Sequence, residues 1–210
     1  RILITAGPTV EPIDPVRYLT NNSSGKMGYA LAEIAYLAGA EVYLISGPVN
    51  LKSFEGVNLF NINTADEMLL EVKNLINEID IFIGCAAVAD FKPIDFNTSK
   101  IKKNEDDEIS LKLTKNPDIL EYASDHMKDK IVIGFSAETD NVIENAKIKL
   151  LKKNLNMIIC NDVSDKTIGF DSNDNEVHLI THDDVIKLSK TTKLKIAKQI
   201  IKSIESLISN

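Results

Sequence analysis

Between Ile79 and Ala86 the chain reads Ile-Asp-Ile-Phe-Ile-Gly-Cys-Ala, apolar on both alternating rows apart from Asp80. A strand with one wet face alternates apolar and polar residues, so a run of this kind must be covered on both sides. Similar short runs recur at Arg1 to Ala6, Glu41 to Ser46, Val57 to Ile62, Ile131 to Phe135 and Met157 to Cys160. Segments of helical periodicity separate several of them. One runs from about Gly25 to Ala38, with Leu31, Ile34 and Ala35 on its apolar side and Gly39 as its stop. A second opens at Thr64-Ala65-Asp66-Glu67 with an acidic first turn and carries Met68, Leu69, Val72, Leu75 and Ile76 to about Glu78. A third spans Asn141 to Lys153, and an amphipathic helix over Thr192 to Leu207 closes the chain.

This alternation predicts an α/β fold: a Rossmann-like, mostly parallel sheet with right-handed crossovers and helices on both faces. Glu176 to Thr181 and Val185 to Leu188 add a C-terminal β-hairpin. Ile109 to Leu113 alternates like a strand with one wet face, and Pro117 fits the first turn of a short helix capped by Asn116. Residues 8–24, rich in Pro, Asn and Ser, predict a long loop. A second polar loop, about residues 90–107, is of a length usually reserved for function or mobility. With neither linker nor internal repeat, residues 1–210 are expected to form a single domain. The absence of an initiator Met points to a piece of a longer chain.

The net charge of −7 argues against general attraction to nucleic acid or to an anionic membrane. The apolar runs are too short to span a bilayer, which leaves a cytoplasmic protein as the expectation. Cys85 and Cys160, 75 positions apart in apolar runs, read as buried free thiols of a reducing compartment. His178 and His182 stand four apart but in a strand-and-turn pattern, which does not predict a zinc site.

Ligands of an open α/β sheet collect beyond the carboxyl ends of its strands. Segments 7–25, 84–103, 135–141 and 161–172 should converge there. The first ends in Asn21-Asn22-Ser23-Ser24-Gly25-Lys26-Met27-Gly28 and a helix start, which suits an anion such as phosphate. An ordinary cap by Ser23 or Ser24 explains it equally well. It is not a P-loop, because Met27 follows Gly25-Lys26 where Ser or Thr would hold magnesium. Lys100, Lys102 and Lys103 lie in the long loop, and Lys147, Lys149, Lys152 and Lys153 on one helix. Lys149 and Lys153 share a helix face and could meet one polyphosphate, although a solvated basic face is the plainer reading. Asp90, at the mouth of the fourth strand, suits a ribose hydroxyl, a magnesium ion or a simple turn.

Taken in order, several stretches resemble the phosphopantothenate–cysteine ligases of the bacterial type, which form the C-terminal half of a two-domain enzyme. They are Thr5-Ala6-Gly7-Pro8-Thr9, Glu11 through Tyr18, Asn21 with Ser23 through Gly28, Gly84 through Asp90, Lys100-Ile101-Lys102-Lys103, Lys115 through Ile119, Gly134-Phe135 with Ala137-Glu138-Thr139, and Lys153-Asn154 leading to Asn161-Asp162-Val163. The resemblance implies that the carboxylate of 4′-phosphopantothenate attacks the α-phosphate of CTP, and that cysteine then displaces CMP from the acyl-cytidylate. It assigns Asn21 to the acyl carbonyl, Lys100 to a loop closing over the intermediate, and Arg17 to the same neighbourhood. Nucleotide-binding positions would be Gly84, Cys85, Ala86, Asp90, Pro117, Asp118, Ile119, Leu120, Phe135, Lys149 and Lys153, with Ser23 touching phosphate. Mg2+ would bridge triphosphate oxygens through ligands that the sequence does not name. The resemblance further implies a homodimer and a flavin-dependent decarboxylase, fused or associated, whose FMN this segment would not bind.

Two other classes compete. An NAD(P)-dependent reductase of similar architecture would bring a glycine fingerprint and often a Tyr followed four positions later by Lys. The residues four after Tyr18, Tyr29, Tyr36, Tyr43 and Tyr122 are Asn22, Glu33, Ala40, Gly47 and His126. A non-catalytic nucleotide-binding module would keep the phosphate segments but need neither Asn21 nor Lys100.

Overall fold

The computed structural model describes residues 1–102, 110–138, 140–162 and 172–208. In chain order its elements are β1 (Ile2–Ala6), β2 (Glu11–Pro12), β3 (Tyr18–Leu19), α1 (Lys26–Leu37), β4 (Val42–Ser46), β5 (Asn58–Asn61), α2 (Ala65–Leu75) running into a 3₁₀ turn (Ile76–Glu78), β6 (Ile81–Gly84), β7 (Phe91–Pro93), β8 (Leu113–Lys115), α3 (Ile119–His126), β9 (Ile131–Glu138), α4 (Val142–Lys152), β10 (Met157–Asp162), β11 (Asp174–Ile180), β12 (Val185–Thr192) and α5 (Lys193–Ile208).

The main sheet has eight strands in the order β12-β11-β10-β9-β6-β1-β4-β5. From β10 through β5 all neighbours are parallel, with Ile2 opposite both Val42 and Ile81. The hairpin β11–β12 adds two antiparallel strands at one edge. The expected fold class is therefore realised. The strand order reverses beside β1, which places a crevice above β1 and β6.

The double coverage predicted from the apolar runs is literal. Ile2, Ile4, Val42, Leu44, Ile81 and Ile83 pack with residues of α1 and α5 on one face. Leu3, Ile45, Phe82, Val132 and Ile158 pack with residues of α2, α3 and α4 on the other. Successive strand residues point to opposite faces, so each strand feeds both cores. α5 buries Ile196, Ala197, Ile200, Ile201 and Ile204, an i, i+4 stripe laid against α1 and the hairpin.

Two local expectations need correction. α3 begins at Ile119, and its cap is Asp118, whose carboxylate accepts from Glu121 N at 3.0 Å. Asn116 instead donates its side-chain amide to Ala89 O at 2.8 Å, so it braces a loop and not a helix. Of the strand expected over 109–113, Ile109 lies outside the described residues; the strand observed is Leu113–Lys115, paired antiparallel with Phe91–Pro93 in a small exposed ribbon. Its alternation reflects an apolar row left open to solvent, not a face on the main core. Within the expected loop 8–24, β2 and β3 form a further two-stranded ribbon.

α1 lies close to β1 because Gly28 has no side chain. A Cβ there would stand 2.5 Å from the Ala6 Cβ and 3.2 Å from its Cα. Gly28→Ala is expected to lower stability by about 1–3 kcal/mol through overpacking, read as a lower urea midpoint at unchanged m-value.

Candidate active site

β1 and β6 remain joined after the sheet ends. Ala87 N donates to Gly7 O at 2.9 Å, and Thr9 N returns a bond to Ala87 O at 3.3 Å. Thr5 and Thr9, both buried, accept through their hydroxyls from Ala86 N at 3.2 Å and Ala89 N at 3.0 Å. Thr20 Oγ1 donates to Thr9 O at 2.8 Å, which holds the next segment alongside. Gly7 makes the turn with φ of 74°, a left-handed conformation that suits glycine.

This seam floors a cleft of ≈ 1000 Å³ at the carboxyl edge of the sheet. Asn21 and Ser23 line it from the segment after β1, and Gly84, Cys85, Ala86 and Asp90 from the segment after β6. Pro117, Asp118, Ile119 and Leu120 form the wall at the start of α3, Phe135 comes from β9, and Lys149 and Lys153 from the end of α4. All of these were expected. Arg17 and Lys100 do not line the cleft: Arg17 pairs with Asp14, and Lys100 is exposed in the segment leading to residue 103. Lys103, Thr139 and Val163 lie outside the described residues.

The Asn21 side chain is held at both ends. Its amide nitrogen donates to Ala87 O, and its Oδ1 accepts from Ser23 N at 3.1 Å. A primary amide carries two N–H donors, so one remains for a molecule in the cleft. The start of α1 adjoins this serine motif. Its cap is Gly25 at φ 74°, with no side-chain cap bond. Ser23 Oγ accepts from Gly25 N at 3.4 Å, a bond inside the turn preceding the helix. The start of α1 with its positive end lies at the cleft, whose lining includes Gly25 and Lys26.

Charge in the cleft runs against that of the whole chain. Lys26, Lys115, Lys149, Lys152, Lys153 and Lys193 line it, against the acids Asp90, Asp118 and Glu121. Lys193, the first residue of α5, is only 7% exposed, and buried Asn175 lines the same end. Sequence reasoning missed Lys193 and Asn175. Lys193 is one of many lysines near the C-terminus, and only the folding of the hairpin against β10 brings it into the cleft. Asn161 Oδ1 and Asn116 Oδ1 are buried acceptors with no partner among the described residues, and both residues line the cleft. Such atoms take an N–H or O–H from a bound molecule or from ordered water.

Two ionisable groups have fixed states. Burial pushes the Cys85 thiol up to about 12, opposed only in part by the Lys193 ammonium, so at neutral pH it is a packing group and not a nucleophile. Asp118 is pushed up by burial, but hydrogen bonds from Lys153 and Glu121 N outweigh this and hold its carboxyl below the usual range. The Asp118–Lys153 pair thereby ties the start of α3 to the end of α4 across the cleft wall.

The profile of the family described as DNA/pantothenate metabolism flavoprotein C-terminal domain matches residues 1–208. The chain belongs to this family. Relatives agree with it. Over 209 residues the chain is 47% identical to the coenzyme A biosynthesis bifunctional protein CoaBC of Vibrio parahaemolyticus, covering 99% of this chain and 52% of that protein. The CoaBC of Escherichia coli K12 is 48% identical over 186 residues, 87% of this chain and 46% of its own length. The crystal structure of a CoaBC C-terminal domain superposes with a TM-score of 0.85 at 41% identity, covering 100% of this chain and 95% of that one. The chain thus spans about half the length of the curated relatives it matches.

A carboxylate with a depressed pKa contributes stability above its unfolded value and loses it as pH falls through the folded one. Asp118→Asn keeps a good helix cap but removes the charge. The stability gap between wild type and this variant should be full near pH 7 and close below the ordinary aspartate value of about 3.9. Urea titrations across that range measure it.

Proposed function

We propose that this family member is a phosphopantothenate–cysteine ligase acting in coenzyme A biosynthesis. The observation that carries the reading is the cationic cleft on the β1–β6 seam, with Asn21 aimed into it, in a chain similar along its whole length to half of CoaBC proteins. A carboxylate oxygen of 4′-phosphopantothenate attacks the α-phosphorus of CTP, and pyrophosphate leaves. The amine of cysteine then attacks the acyl carbon of the acyl-cytidylate; the C–O bond to CMP breaks and the amine gives up a proton.

Nucleotidyl transfer depends chiefly on alignment and charge neutralisation. Lys149, Lys152 and the start of α1 meet the phosphates, while Gly84 through Ala86 and Pro117 through Leu120 wall the nucleoside. In the second step negative charge grows on the acyl oxygen, and the remaining N–H of Asn21 stabilises it. Lys100 approaches the same intermediate from its loop. Magnesium enters with the nucleotide as part of the substrate. The described residues hold no cluster of three metal-ligating side chains, and Asp118 is committed to Lys153. Asp90 and Glu121 are then the cleft carboxylates that could meet a triphosphate-borne ion, an arrangement usual for magnesium.

The same reading includes a cytoplasmic homodimer linked to a decarboxylase domain. Among the described residues no helix is long and apolar enough to cross a membrane. Val16, Tyr18, Phe91, Ile94, Phe96, Leu111 and Leu113 are exposed apolar side chains on or beside the two small ribbons, which pack together through β2 and β7. A second copy of this chain is the occupant that the resemblance supplies for this patch.

Pyrophosphate release should require 4′-phosphopantothenate and proceed with CTP in preference to ATP. CTP binding without turnover would leave a binding module instead. Asn21→Ala is expected to slow amide formation by about 100–1,000-fold, the usual cost of losing one oxyanion donor. Nucleotide affinity should change little; equal loss of both would remove the role given to Asn21. Phe96→Asp should shift the chain towards monomer in sedimentation velocity, and an unchanged dimer would place the interface elsewhere.

A further inference from the structure

Asp14 is a wholly buried carboxylate with an unusual set of donors. Oδ1 accepts from Val16 N and Arg17 N, each at 2.8 Å. These two bonds close a local turn, ordinary work for an aspartate. Oδ2 does something that a turn does not require. It accepts from Arg17 Nε at 3.0 Å, from a terminal nitrogen of the same guanidinium, and from Ile101 N at 3.1 Å, 87 residues away in sequence. That terminal nitrogen of Arg17 also donates to Ile101 O at 2.9 Å. Both polar groups of Ile101 are thus gripped by one ion pair. A second tie lies four residues earlier, where Asn97 N donates to Ile13 O at 3.1 Å.

The two charges depend on each other. A buried carboxylate without its guanidinium would be strongly destabilising, and the guanidinium without the carboxylate would lose its aim. Ile101 directly follows Lys100, about 3.8 Å away along the chain. Fixing both polar groups of Ile101 therefore limits where the Lys100 side chain can reach.

We propose that Asp14 is a positioning residue: together with Arg17 it clamps the backbone at Ile101 and so aims Lys100 at the reacting centre. The second half of this proposal rests on the ligase reading, whereas the clamp itself does not. Asp14→Asn tests both. The amide keeps an acceptor for the turn but sets an N–H against Arg17 and Ile101 N. Turnover should fall by up to about 100-fold, the scale of a small misplacement of a catalytic group, with nucleotide affinity little changed; the melting temperature should fall as well, because the buried amide sets an N–H against two donors. In a double-mutant cycle the loss should vanish in the Lys100→Ala background, because Asp14 acts through that lysine. A purely structural role would add its cost in both backgrounds and would overturn the proposal. Trypsin gives a readout independent of activity: cleavage after Lys100 and Lys102 should be faster in Asp14→Asn than in the wild type. Unchanged cleavage rates would overturn the clamp. Faster cleavage in a protein that shows no ligase turnover even as wild type would keep the clamp and discard the ligase reading. Should Asp14→Asn fold poorly, Arg17→Lys, which keeps the charge but lacks the planar fork that bonds Asp14 Oδ2 and Ile101 O together, serves the same comparison.

Discussion

The continuation of β1 and β6 as a hydrogen-bonded pair beyond the sheet is the constraint on which the site depends. Bonds from Ala86, Ala87 and Ala89 to Thr5, Gly7 and Thr9 turn two ordinary strand-to-loop exits into a single rigid floor. Without that seam, Ala87 O would not be in place to hold Asn21, and the segment before α1 would be free to swing. Buried threonines explain how a loop achieves this. Their hydroxyls satisfy amides that water would otherwise solvate, so the backbone can sit in the crevice without leaving polar groups unpaired. Glu11 extends the same logic: its buried carboxylate accepts from Ala65 N at 3.0 Å and ties the loop after β1 to the start of α2.

A chain carrying −7 overall needs local order to attract an anion. The lysines that supply it come from widely separated places: Lys26 from α1, Lys149, Lys152 and Lys153 from α4, Lys193 from α5. Some are restrained by neighbours, as Lys153 is by Asp118, which keeps their mutual repulsion from splaying the walls. Field lines from such a cluster concentrate in a cleft with low-dielectric walls, so the local potential can oppose the net charge.

Much of this was legible in the residues because the physics was local. Strands apolar on both rows must be covered twice, and the cores on the two faces of the sheet show it. Thr64 and Glu67 mark the start of α2 in sequence, and Thr64 does cap it, accepting from Glu67 N. The errors fell where a side chain's choice of partner is not local. Asn116 and Asp118 are both good caps, and only the distant carbonyl of Ala89 and the ammonium of Lys153 decide which one caps α3. Leu111 and Leu113 alternate like a half-buried strand, yet the surface they offer faces outward. Of the site, the glycine- and serine-rich segments could be found by pattern. Lys193 and Asn175 could not, since nothing near them in sequence distinguishes them.

Arg17 was expected at the site, yet it does not line the cleft. Its guanidinium stands outside the cleft and is spent on Asp14 and Ile101. Asn21, by contrast, lies inside it and is neutral. In the proposed ligase the two would have different tasks. A charged group beside the acyl carbonyl would favour one charge state throughout the reaction, whereas an oriented amide dipole can strengthen its bond as charge develops on the oxygen. That works only if the amide cannot rotate away. Its fixed bonds to Ala87 O and Ser23 N supply the restraint, so the role proposed for Asn21 depends on the seam that holds it.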